Sequence, residues 1–200
     1  DDDNQVCQLI QDVYVNGSIA GTERNSSLYD FTGHLLKSKI THRPGVPEQR
    51  VFSKRFDYDP AGRLINTWLQ LDNRPEILLR QNTWNELDQL VDVKLHSTDN
   101  GVTFRQSVDY RYNIRGWISS VNNSGLIADG TSNDDMNDLF GLNLIYEAAD
   151  PFIKNSPDFS GNVSAIRWSS NQGKSIEKER AHRFFYDPMD RLRTAEMLSN

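Results

Sequence analysis

The chain has 200 residues, 22 basic and 28 acidic side chains, and a formal net charge of -6. That balance argues against nucleic acid as a partner, because phosphate neutralisation needs clustered Lys and Arg, and no apolar run is long enough for a membrane-spanning helix. The single cysteine, Cys7, excludes an intrachain disulfide and a thiolate zinc site, and His34, His42, His96 and His182 stand in no ligand spacing. Asn and Asp together number 38, a mix that opposes long helices and favours turns. The fold class expected is all-β, a long twisted antiparallel meander of repeated hairpins with little helix. The best helical candidates are 76–95 and 172–183, the first interrupted by Asn82, Asn85 and Asp88.

In chain order, residues 1–28 form a lead-in or partial repeat, with only a faint strand pattern over Val6–Val15. A repeat then begins: an aromatic, a turn, and a short apolar strand. It reads Tyr29-Asp30-Phe31-Thr32-Gly33, Tyr58-Asp59-Pro60-Ala61-Gly62-Arg63, Trp84-Asn85-Glu86-Leu87-Asp88, Tyr112-Asn113-Ile114-Arg115-Gly116, a looser Phe159-Ser160-Gly161, and Tyr186-Asp187-Pro188-Met189-Asp190. The aromatics at 29, 58, 84, 112, 159 and 186 are 29, 26, 28, 47 and 27 residues apart. The long interval holds a polar insertion, residues 122–139, which divides repeats over 29–121 from repeats over 140–200.

Each unit has a physical reading as a hairpin. The aromatic ends a strand, and the Asp or Asn accepts backbone N–H groups two or more residues on. Proline presets φ for a type I turn, and glycine supplies the positive φ that closes it. Asp88 and Asp190 replace that glycine and are expected to take the left-handed region, at some cost in stability. Between the turns the apolar residues alternate, as in Arg50–Tyr58 and Val102–Tyr112, predicting ten to fourteen half-buried strands.

The Tyr-Asp-x-x-Gly-Arg-Leu signature at 58–64, restated at 29–35 and 186–192, resembles the YD repeat of RHS-repeat proteins. Asp138–Tyr146 and Phe159–Trp168 look like the version in large bacterial members. The resemblance implies a β-strip spiralling into a hollow shell, which in toxin-type members encloses a C-terminal effector. Related repeats occur in animal adhesion proteins, and carbohydrate binding has been suggested for some. The chain is too short to close such a shell, and it lacks the self-cleaving core-terminal segment and an effector. It reads as one arc of a wall in a secreted or cell-surface bacterial protein, whose partner is the remainder of its own longer chain.

Candidate chemistry competes with turn chemistry for the same residues. Asp59 and Asp187, each before proline, invite a paired-carboxylate reading, but a dyad needs two carboxyls within roughly 3 Å, and turn residues are expected instead. Asp129–Asp138 offers oxygens to calcium without the spacing of an EF-hand, and a solvated loop is expected. The aromatics read as cross-strand packing. The alternative is a glycan-stacking platform in which Trp68, Trp117 and Trp168, each after a turn, meet sugars. No enzyme motif, cofactor site or metal site is expected, and the structural residues singled out are Tyr29, Asp30, Gly33, Tyr58, Asp59, Gly62, Arg63, Trp84, Tyr112, Asn113, Gly116, Tyr186 and Asp187.

Overall fold

A computed structural model describes residues 7–44, 49–131, 133–171 and 178–199. The protein is all-β. Among the described residues, thirteen antiparallel strands follow one another in a single sheet, each hydrogen-bonded to its neighbours in chain order. They are β1 (Gln8–Val15), β2 (Ser18–Tyr29), β3 (Leu35–Pro44), β4 (Arg50–Tyr58), β5 (Leu64–Leu71), β6 (Ile77–Trp84) and β7 (Leu90–Ser97). There follow β8 (Gln106–Tyr112), β9 (Ile118–Val121), β10 (Phe140–Ile145), β11 (Ala165–Ser170), β12 (Arg180–Tyr186) and β13 (Leu192–Ser199).

Three sequence expectations are corrected. The helical candidate 76–95 is the β6–β7 hairpin: its Ile, Thr, Trp and Val residues suit a pleated strand, and Asn85 and Asp88 build the turn between. Of the candidate 172–183, residues 172–177 lie outside the described residues and Arg180 onward is strand. The alternation from Val102 does not extend one strand to Tyr112. Asn100 and Gly101 take positive φ (58° and 90°), Val102 is exposed, and β8 begins only at Gln106. Residues 1–6 of the lead-in lie outside the described residues, while β1 pairs with β2 around an Asn16-Gly17 turn, both residues at positive φ.

The chain divides into two compact units. The first comprises Asp1–Thr83 with Lys94–Arg105. Among its described residues the buried apolar side chain is Leu78, accompanied by Thr67, Asn82 and Ser97. The second comprises Trp84–Val93 with Gln106–Asn200. It buries Val93, Leu126, Ile153 and Ala165, together with a larger set of polar groups that includes Ser107, Asp109, Asn122, Asn133, Asp138 and Ser164. Among the described residues, buried polar side chains outnumber buried apolar ones. No described helix lies over the strands, so most strand residues are half-buried. Cohesion within each unit therefore rests on the ladder, on cross-strand pairs worth a few tenths to about 1 kcal/mol each, and on the satisfaction of buried polar groups.

Candidate functional site

The repeat motif folds into one recurring turn. In Asp30–His34, the Gly33 amide donates to the Asp30 carbonyl (3.1 Å) and the Asp30 amide to the His34 carbonyl (2.9 Å). This is a type I turn closed by a left-handed residue, the common three-residue hairpin loop. The Asp30 carboxylate meanwhile accepts the Thr32 and His34 amides at 2.8 and 2.9 Å. The same four bonds recur in Asp59–Arg63, Asn85–Gln89, Asn113–Trp117 and Asp187–Arg191. The closing residue has φ of 90° at Gly33, 81° at Gly62, 59° at Asp88, 78° at Gly116 and 58° at Asp190. A β-bulge follows in four of these hairpins, where Tyr29, Tyr58, Tyr112 and Tyr186 pair with Leu35, Leu64, Ile118 and Leu192 and one partner residue is skipped.

The acids of these turns are held ionised. The Thr32 hydroxyl, then the His34 and Thr32 amides, lower Asp30 to about 2. The Arg63 amide holds Asp59 below the usual carboxylate range and the Arg191 amide so holds Asp187, each aided by the guanidinium of that arginine, at 2.7 Å in both turns. Arg63 thus clasps its own turn, and Asp59 and Asp187 are both turn acceptors. In a proton-sharing pair one carboxyl is pushed up; here both are pushed down.

The aromatic that precedes each turn does a second job. The Tyr58 hydroxyl donates to the Leu35 carbonyl (3.1 Å), and the Tyr112 hydroxyl to that of Leu90 (2.9 Å). Tyr146 reaches Ile118 (2.9 Å) and Tyr186 reaches Val163 (2.8 Å). Each acceptor is the first residue after the preceding turn, so each tyrosine ties its hairpin to the one before it. Burial raises the pKa of all four phenols, which keeps them as donors. Trp84 has no hydroxyl, and beside it the Asn82 amide takes the Leu64 carbonyl instead (2.9 Å). The rings of Tyr58 and Tyr146 lie on His34 (4.8 Å) and Trp117 (5.3 Å), the last residues of the preceding turns. These two tyrosines stack on turn residues.

In the unit of Asp158 the aromatic before the turn is not Phe159, as the sequence register has it, but Tyr146. Phe159 follows Asp158 as Phe31 follows Asp30: the Ser160 amide donates to Asp158 (2.9 Å), Gly161 has φ of 113°, and Phe159 is exposed. The aromatic of this unit is Tyr146, whose carbonyl accepts from the Asp158 amide (2.9 Å) across an eleven-residue excursion, 147–157. Aligning Asp-Phe-Thr-Gly with Asp-Phe-Ser-Gly would have found the register.

The three tryptophans have partners of their own. Trp68 donates its indole N–H to Asp57 (2.7 Å), and the Arg55 guanidinium lies 4.7 Å from its ring centre. Arg115 lies 5.1 Å from the Trp117 ring. Trp168 meets the His182 ring edge-on at 5.1 Å. All three are half-buried.

The insertion 122–139 departs from the solvated loop expected. Asn133 and Asp138 are 0 % and 1 % exposed, and Leu126 is buried beside them in the sequence of the loop. The Asn133 amide donates to Asp138 (2.5 Å), and the Asp134 amide donates to the buried Asp109 carboxylate (3.0 Å). Burial, then the neighbouring Asp135, pushes Asp138 up to about 6, and burial also raises Asp109 and Asp135. Among the described residues, no group of three or more His, Cys, Asp or Glu has the arrangement to hold a metal ion.

No family model matches the chain, and no curated protein matches it. Solved structures do resemble it. One is the Photorhabdus luminescens Tc holotoxin pore carrying the mutation TccC3-D651A, at 15% identity and TM-score 0.39, covering 88% of this chain and 9% of that one. Another is a TcdB2-TccC3-Cdc42 structure, at 16% identity and TM-score 0.30, covering 86% of this chain and 10% of its own. A third is TcdB2-TccC3 without its hypervariable C-terminal region, at 16% identity and TM-score 0.31, covering 96% and 12%. The chain spans about a tenth of the length of the structures it resembles.

Proposed function

We propose that this chain is a non-enzymatic structural segment, part of the β-sheet wall of a large exported RHS-type protein, either toxin-encapsulating or on the cell surface. The observation that carries this reading is the recurrence of one turn with one set of bonds, tied hairpin to hairpin by tyrosine hydroxyls. The polar residues that a catalytic reading would recruit, Asp59 and Asp187, are spent on the backbone of their own turns. A glycan platform on Trp68, Trp117 and Trp168 needs open ring faces, and guanidinium groups over the first two favour the structural role.

Antiserum raised against the chain, used to blot source cells and medium, tests the proposal. A species many times larger than 23.0 kDa, found in the exported fraction, is the result expected. A mature species of the chain's own mass would overturn the wall reading.

A further inference from the structure

The face of the first unit formed by β1, β2 and β3 carries a polar concavity of about 230 Å³. Directly opposed residues in an antiparallel ladder share a face. Gln8 opposes Ser26, which opposes Lys39; Ile10 opposes Arg24, which opposes Thr41; and Thr22 opposes Arg43. With Gln49, these residues line the concavity. Three cations gather there, and among the described residues no carboxylate lines it.

Three arginines elsewhere in the unit are matched to carboxylates. Arg50 pairs with Asp72, Arg55 with Asp57 and Glu76, and Arg63 with Asp59. Arg24, Lys39 and Arg43 form no ion pair with a described residue; the Arg43 Nε–H donates to the Gln49 amide oxygen (3.1 Å). Lys39 and Arg43 flank Thr41, so both sit diagonal to Arg24, at about 7–8 Å by ladder geometry. Like charges so placed repel, in a chain whose net charge is -6 and where acids are plentiful. An anion held between them would relieve that repulsion.

The lining also states what kind of anion. Thr22, Ser26 and Thr41 offer hydroxyls and Gln8 an amide, but no lining residue is aromatic. Nothing there stacks a base or a sugar ring. Backbone addition of a peptide is closed to β2, which is already paired on both sides. Recognition is left to charge and hydrogen bonds. We infer that this face binds a small polyanion carrying at least two phosphate or sulfate groups, with Arg24 as the central fork and Lys39 and Arg43 as flanking charges.

Titration calorimetry of the whole chain with inorganic triphosphate, a sulfated disaccharide and orthophosphate tests this. Saturable binding of triphosphate or the sulfated disaccharide, tighter than orthophosphate and weakened by added salt, supports it, and the tighter of the two identifies the source of the oxyanion. Arg24→Gln should weaken binding by roughly tenfold or more. Lys39→Gln, at an exposed position that leaves the ladder intact, should weaken it by less and serves if Arg24→Gln fails to fold. Arg193→Gln, an exposed arginine on β13, makes the same change in net charge and should leave binding unchanged. Failure of both polyanions to bind, orthophosphate binding as tightly, or an equal loss in Arg193→Gln would each overturn the inference.

Discussion

Two regions of the second unit use aspartate in opposite ways. In the Asp187–Arg191 turn the carboxylate is exposed to water at its edge, accepts two amides, faces Arg191, and is held below the usual carboxylate range. In the 122–139 loop, Asp138 is buried, receives the Asn133 amide, stands beside Asp135, and is pushed up to about 6. The residue type is the same and the outcome differs, because donors stabilise the charged form while burial and a like neighbour penalise it. The turns are built to carry charge. The loop tolerates its carboxyl best when it is neutral.

The sharpest way to break this comparison is to deny the loop its close approach. A Cβ added at Gly141 would fall 1.8 Å from the Asn123 carbonyl oxygen. Gly141→Ala should therefore cost about 3 kcal/mol or more, read as a lower denaturation midpoint. A variant as stable as the parent would mean that the loop does not pack on β10. Gly62→Val comes next. It places a branched residue at φ of 81° with its Cβ 3.1 Å from the His34 ring, and should cost about 1–2 kcal/mol; an unchanged melting temperature would count against the turn.

Changing pH separates the two regions. The folded pKa of Asp138 lies above its unfolded value of 3.8. Its contribution to stability is fully present below about 3.8 and fades as pH rises through about 6. Asp30, Asp59 and Asp187 lie below their unfolded value, so their contribution is present above it and fades as pH falls through their folded pKa, about 2 for Asp30. Stability measured by chemical denaturation should thus pass through a maximum between about 4 and 6. Asp138→Asn should flatten the alkaline side alone, and if that side persists unchanged, the loop carboxyl is not its cause.

Smaller effects sharpen the picture. Tyr186→Phe removes the donor to the Val163 carbonyl and should cost about 1 kcal/mol, with faster amide exchange around the Asp158 turn as its local signature. Asp190→Gly relieves a left-handed aspartate at φ of 58° but gives up its contacts with Ser160 and Asn162. A net gain of a few tenths of a kcal/mol is expected, and a clear loss would show that those contacts outweigh the backbone term.

The turns were legible because their chemistry is local. Asp, Pro and Gly at fixed offsets announce a type I turn and its left-handed closure, and every bond that builds Asp59–Arg63 lies within five residues. All-β alternation was legible for the same reason. What the sequence hid was long in range. The tyrosine hydroxyls find carbonyls 22 to 28 residues back. Tyr146 is parted from its turn by an excursion that breaks the expected adjacency. The burial of Asp138 depends on Asn133 and Gln106 arriving together, which no spacing announces. The cations of β1–β3 became a group only once register placed Arg24 between Lys39 and Arg43.

The tyrosine tie reaches back by one hairpin and no further. Energetically, such a chain is a row of dominoes linked to nearest neighbours, where stability grows by addition and length is a free variable. A pair of strands with its turn and tyrosine is the smallest increment that leaves both neighbours correctly joined. Gene duplication or loss in those increments would lengthen or shorten the sheet without redesigning any joint, whereas removal of a single strand would point every later turn the wrong way.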